Sequence, residues 1–566
     1  MIKPDRIKIC SLLLVLVFAL QPLALTAHED DKHAEDEPQT TGRVLGKISF
    51  PTTTKSEQAQ TAFIEGMLLL HLFEYPFAKE KFQQAQEIDP DFVMAYWGEA
   101  MTHNHPIWDE QKQDEALAIL NRLGNSPEAR QSKTSSQKEK DYLAALDLLY
   151  GDGPKAERDK AYMLHMQQMA VNYPDDHEVQ LFYALSLFGV SAGVRDVPAY
   201  MQSTAISQGV FYTNRQHPGA AHYLIHGVDD PVHAPLGLEA ARALAVIAPD
   251  AGHSQHMTSH IFTAVGMWDD VVTANKSAVL VSNQMLVSKG RSARYWGHYN
   301  FWLLYGLLQQ GKHDEAAVLL KAAYKEVTES GVVPTEPLWL DADRSQVGSV
   351  VQMWARYLIE TRSQDREMIN WTFNMGDAFD PKLTFHYVHA LDAAFWNESA
   401  LATEHLGKFQ SLKSTLKETI LGMDTQAPTD LVYLDRLNVM DLEIQAAIEF
   451  EKGNPDQALK YAREASHLEG QMPFAFGPPF VDLPSAELLG NILLSTGHND
   501  EAVEAFEVQA QRTRLKTLPM LSQARAEKAR GNDTAARQLR ERLTLIWFNA
   551  DVDVKAKLAS KQAGQN

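Results

Sequence analysis

Between Ala62 and Pro90, small and apolar residues fall at intervals suited to two packed helices. Gly66, Ala78, Phe82, Ala85 and Pro90 are separated by 12, 4, 3 and 5 residues, with helix-period apolar residues between them. The small residues let two helices approach, and the proline ends the second. A glycine followed five residues later by an alanine, the turn of this unit, recurs as Gly311…Ala316, Gly453…Ala458, Gly497…Ala502 and Gly531…Ala536, and the last two glycines lie 34 residues apart. Gly266 opens the same turn with Val271 in the alanine's place, while Pro174 and Pro249 each close a second helix. Roughly eight to ten units follow from these marks. The array is irregular: some turns are 44 or 45 residues apart, and residues 124–154 fit no unit. No run of β-branched alternation predicts a sheet.

This spacing resembles the tetratricopeptide repeat, a helix–turn–helix of 34 residues with small residues at its eighth, twentieth and twenty-seventh positions. The resemblance covers about two thirds of the chain beyond its N-terminal segment. It implies an all-α fold, a superhelical solenoid of antiparallel helix pairs, over residues 56–550. Such units cannot bury their apolar faces alone, so they stack and curve around a concave surface. In this family that surface takes a protein or peptide partner.

The N-terminus reads as an export signal, because Lys3, Arg6 and Lys8 precede the apolar run Ser11–Leu20 and Ala24 to Ala27 offer a cleavage site. Residues 1–27 are expected to be removed, giving a periplasmic or secreted protein; an uncleaved anchor is the alternative. Residues 28–55 read as a flexible acidic leader and 551–566 as a C-terminal tail. The only cysteine, Cys10, would leave with the signal, so neither disulfide nor thiolate chemistry is expected afterwards. No later segment has 18 uninterrupted apolar residues, so no integral membrane segment is expected after cleavage. The net charge of −21 argues against nucleic acid and toward cations, whether basic peptides or metal ions. His28, with His33 nearby, would chelate copper only if the cut falls after Ala27.

The chain holds 21 histidines, and seven lie in the stretch His217–His260. His222 and His226 form one HxxxH, His256 and His260 another, and each member is 34 residues from its counterpart. With Pro249 at the thirty-second position of its unit, both pairs take the fifth and ninth positions of successive first helices. A spacing of four places both rings on one helix face. His253 extends the stripe, and His298 falls at the corresponding second position one unit later. First helices about 8–10 Å apart would let the two pairs meet one ion. With no cysteine, nitrogen and oxygen donors suit Zn, Cu, Ni or Fe. Asp229, Asp230 and His233, in the following turn, and His298 are candidate ligands or hydrogen-bond partners that orient the imidazoles. Four arrangements without metal compete: rings hydrogen-bonded in the groove, a pH-responsive cluster, surface histidines, and a duplicated HxxxH without a role.

Two other histidine pairs are weaker. His103 and His105 straddle a helix end before Pro106, and His386 and His389 share a face without a partner in register. The segment Met472–Pro484, with three phenylalanines and four prolines, cannot continue a helix and predicts a structured loop, either a plug over a helix pair or a wall of the groove. The leading expectation is an exported binding module whose groove holds a peptide, a protein segment or another ligand, with a histidine-bound metal in the groove floor. Two alternatives share that site, a hydrolytic or redox metalloenzyme and a metal carrier or sensor. The sequence lacks HExxH with its adjacent general base, a phosphate-cradling glycine loop and CxxCH.

Overall fold

A computed structural model describes residues 42–334, 345–362, 366–423 and 426–559. The export signal with Cys10, and the leader histidines His28 and His33, lie outside the described residues. Among those described are twenty-five α-helices, of which twenty-two form eleven successive hairpins, from Glu57–His71 with Tyr75–Ile88 to Thr517–Ala529 with Asp533–Ile546. The fold is all-α, a tetratricopeptide-like solenoid of antiparallel helix pairs. Residues 124–154, which fit no unit in the sequence, hold the short helix Pro127–Gln131 and the first helix of the next hairpin, Gln137–Leu149. The one β-ladder among the described residues pairs Asn104–His105 with Glu110–Gln111 around Pro106, where a helix cannot continue.

The repeat register explains the packing. In the first hairpin Gly66 faces Phe82, and a Cβ on that glycine would stand 2.7 Å from the ring. The pairing recurs near the other end, where a Cβ on Gly490 would stand 2.6 Å from Phe506. A side chain at either position would displace an aromatic ring that fills the seam. Ala78, Ala85, Ala316, Ala458 and Ala502, at the other small positions, are fully buried.

The array reaches further in both directions than its repeats suggest. Residues 42–55 pack as an extended strap instead of a flexible leader: Phe50 is buried with its ring 5.3 Å from Phe63, and Lys47 N donates to Gln216 O at 2.9 Å. The expected tail begins with the helix Val552–Ala559, whose Val554 lies against the Gly311 turn. In both cases a buried apolar side chain offsets the entropy of ordering a short segment.

The solenoid turns back on itself. Trp268 donates its indole N–H to Leu515 O at 2.9 Å, and Thr517 N donates to Gln309 Oε1 at 3.0 Å. The loop Met472–Pro484 sits inside this closure. Arg356 donates to Pro479 O at 2.8 Å and pairs with Asp482 at 2.9 Å. Val481 and Leu483 are buried and Phe476 stacks on Tyr200 at 6.4 Å, while Phe480 is 40% exposed, so the loop is anchored by residues 481–483 together with Phe476. Gly477 meets the face of Trp302, where a Cβ would come within 2.0 Å of the ring. Every residue of the helix Pro218–Val228 is buried, as are Gly252–Thr263 of the next first helix. At this level the solenoid therefore has a filled interior where an open groove floor was expected.

Candidate metal centre

Three successive first helices, Pro218–Val228, Gly252–Val265 and His298–Gln309, carry the histidines. His222, His226 and His253 form one group, and His256, His260 and His298 a second; within each, the candidate ligand atoms lie within 4.8 Å of one another. The expected convergence of both HxxxH pairs on one ion gives way to two groups of three. His253, His256 and His260 follow i, i+3, i+7 along one stripe, and that stripe meets two neighbouring helices. Its first ring faces His222 at 5.0 Å between centroids, while His256 faces His298 at 4.5 Å. The groups adjoin where the rings of His226 and His260 come within 5.9 Å.

In the first group the ring nitrogens do not balance. His222 donates Nδ1–H to the carbonyl of His71 at 2.7 Å, which leaves its Nε2 as a lone pair. The Nε2 atoms of His222, His226 and His253 are all buried without a hydrogen-bond partner. Each unsatisfied buried polar atom costs about 1–3 kcal/mol. Burial, with the neighbouring rings, holds His222 and His253 well below the usual histidine range, so both stay neutral, the form that ligates a metal. Phe73, in a left-handed backbone conformation with φ of 55°, presses edge-on against His222 at 4.4 Å and closes the group on one side.

The second group is organised from behind. Asn275 donates its amide N–H to Val271 O at 2.9 Å, which turns its Oδ1 toward His256; the His256 Nδ1–H donates to it at 2.8 Å. His260 donates Nδ1–H to Asp229 Oδ2 at 3.0 Å. Both Nε2 atoms are then lone pairs, and they face each other at 3.1 Å. Burial and the adjacent rings push His256 well down, and burial outweighs Asp229 to bring His260 to about 4, so near neutral pH no proton sits between them. Trp302 stacks on His260 at 4.4 Å, and His298 is the exposed member.

Asp229 stands behind both groups, 3.0 Å from His260 Nδ1 and 3.7 Å from His226 Nδ1. Burial opposes its ionisation, but Arg195 and the two rings outweigh that and hold its carboxyl well below the usual range. Arg195 pairs with Asp229 and with Asp230, the latter at 3.0 Å, and its guanidinium lies 5.1 Å from the ring of Phe476 in the 472–484 loop. Asp230 also holds His233 at 2.8 Å, so neither residue belongs to a histidine group.

A third buried cluster is self-sufficient. Glu178 accepts from His71 Nε2 at 2.7 Å and from His217 Nε2 at 3.1 Å. His71 Nδ1 takes the Tyr223 hydroxyl at 2.9 Å, and His217 Nδ1 accepts from Ala220 N at 3.4 Å. The weaker sequence pairs do not reach this arrangement. His105 stacks on Tyr75 at 4.0 Å and pairs with Glu110 at 3.2 Å, while His103 lies near Lys79. His386 and His389 gain a neighbour in His405, whose Nδ1 is 3.0 Å from His386 Nδ1.

Asn275, Arg195, Trp302 and the His71–Glu178–His217 cluster were not picked out from the sequence. Asn275 had a legible signal. It occupies the register position that holds Phe82 and Phe506 in other units, so a polar residue replaces the aromatic that packs the seam. The others come from distant units and share no local pattern.

The fold and site together define an all-α helical-repeat protein with a buried histidine centre. No protein-family model matches the chain, and no curated protein matches it in sequence. Among solved structures it is similar to the APC/C hetero-tetramer Cut9-Hcn1, at 11% identity over 88% of this chain and 75% of that one, with a TM-score of 0.33. It is also similar to yeast Tom70 (13%, 86% and 93%, TM-score 0.29) and to a human IFIT1 dimer with PPP-AAAA (14%, 85% and 95%, TM-score 0.33). Likenesses this distant carry no conclusion about ligand or activity.

Proposed function

We propose that this protein is an exported metalloprotein whose solenoid holds a transition-metal ion on His222, His226 and His253. The observation that carries this reading is the grouping of His222, His226 and His253, each with a buried Nε2 that has no hydrogen-bond partner, with His222 and His253 kept neutral by burial. Three imidazoles leave a fourth position of a tetrahedral ion open to water or a small ligand, as in catalytic rather than closed structural sites. An ion with an open position activates water for hydrolysis or, for copper or iron, supports redox chemistry. The all-nitrogen donor set suits Zn, Cu, Ni or Fe.

The test is elemental analysis of protein purified without a histidine tag, followed by assays of ester, peptide and peroxide turnover with and without the metal. Bound metal that disappears in His222→Ala/His253→Ala is the expected result. Protein that neither retains nor takes up metal would return the centre to a hydrogen-bonded core and leave a protein or peptide partner as the function of the repeats. Mass spectrometry of the exported protein should find His28 as its first residue.

A further inference from the structure

We infer that the protein holds two metal ions side by side, the second on His256, His260 and His298, with Asp229 as the carboxylate shared behind both. This rests on the proposed first site and extends it.

The second group differs from a chance gathering of histidines in how its nitrogens are committed. The bond from the Asn275 amide nitrogen to Val271 O turns the Asn275 Oδ1 toward His256, and because an amide oxygen only accepts, the His256 Nδ1 carries the proton. Asp229, an ionised carboxylate beside Arg195, fixes the proton of His260 on Nδ1 in the same way. Two Nε2 lone pairs at 3.1 Å repel each other unless a cation lies between them. Two nitrogens bound at about 2.0–2.1 Å to one tetrahedral ion stand roughly 3.3–3.4 Å apart, close to the separation found. His298 supplies the third nitrogen and, as the exposed member, the side from which an ion enters.

The two sites share support. Asp229 accepts from His260 Nδ1 at 3.0 Å and stands 3.7 Å from His226 Nδ1, and outer partners of this kind orient metal-ligating imidazoles and tune their affinity. His226 and His260, the two rings it serves, are also the point of closest approach between the groups described above.

The experiment is titration of the tag-free protein with Zn²⁺ and with Cu²⁺, reading stoichiometry by elemental analysis after buffer exchange. Tryptophan quenching by Cu²⁺ reports location, since Trp302 touches the second group and Trp108 lies 6.4 Å from His253. Two equivalents are expected in the wild type. His298→Ala, at an exposed position that leaves the core intact, should lose one equivalent together with the quenching removed by Trp302→Phe. His222→Ala should lose the other equivalent and keep the Trp302 signal. One equivalent, lost in His222→Ala and untouched by His298→Ala, overturns the second site and leaves the first standing. One equivalent lost in both variants means a single shared ion and overturns the two-site arrangement. No bound metal in any form overturns both.

Discussion

Two buried histidine clusters lie within one hydrogen bond of each other, and they differ in how their nitrogens are satisfied. Around Glu178, both rings give an N–H to the carboxylate and accept a hydrogen bond at the other nitrogen, so every ring nitrogen has a partner. Around His222, three rings each leave a buried Nε2 without a hydrogen-bond partner. The backbone carbonyl of His71 links the two, accepting from His222 Nδ1. In both clusters the candidate ligand atoms lie within 4.8 Å of one another, so proximity alone does not separate a metal site from a core network. Hydrogen-bond accounting does: the first cluster is complete as built, and the second leaves three buried ring nitrogens without a partner.

The largest expected effect falls on the complete cluster. Glu178→Ala strands two buried ring N–H groups and should cost on the order of 3–5 kcal/mol in chemical denaturation, while the folded variant binds as much metal as the wild type. Reduced metal uptake would mean that the two clusters form one site.

Acid should separate the clusters next. Burial pushes the His260 imidazole down to about 4 in the folded chain, from about 6.5 for an ordinary histidine. Between those values the unfolded chain binds a proton that the folded chain refuses, so stability falls as pH drops from about 6.5 to about 4 and then levels. For His260 alone the loss in metal-free protein is about 3 kcal/mol. Glu178 is shifted down, burial being outweighed by His71 and His217, so its contribution is present above the ordinary carboxylate range and lost only in stronger acid. Denaturation midpoints that stay flat from pH 6.5 to 4 would show that the centre's rings are not held neutral by burial.

Metal comes third. At free Zn²⁺ or Cu²⁺ one hundred times the dissociation constant, the wild type should gain about 2.7 kcal/mol per site. His222→Ala/His253→Ala should forfeit the first site's share, and His217→Ala should keep it. Equal gains in both variants would erase the distinction between the clusters.

The smallest change lies far from either. Ala502→Leu overpacks a repeat seam and should cost about 1–3 kcal/mol without altering metal uptake or the acid transition above pH 4. If it alters either, global stability rather than cluster chemistry sets those readouts.

Much of the centre is legible in the repeat. The 34-residue interval between the HxxxH pairs puts four rings at equivalent positions, and the second-position register adds His253 and His298, the very rings that complete the two groups. What the interval does not contain is direction. His253 and His256 lie on one stripe of one helix yet join different groups, because adjacent first helices meet that stripe from two sides. Asp229 was within view as a turn residue beside the histidines. Its place behind both groups depends on Arg195, which enters from the turn before the helix Val197–Thr213.

The sequence by itself determined the helical repeat, because glycine turns such as Gly497 and Gly531, at φ of +83° and +88°, and the small seam residues are local and periodic requirements. It also determined which face of each first helix carries histidine. Tertiary structure alone decided that this face is buried and not an open groove. The closure that fills it joins residues far apart in the chain, Trp268 to Leu515 and Trp302 to Gly477. The same holds for the nitrogens. Whether a buried imidazole is satisfied depends on the atoms opposite it, and those come from wherever the chain returns.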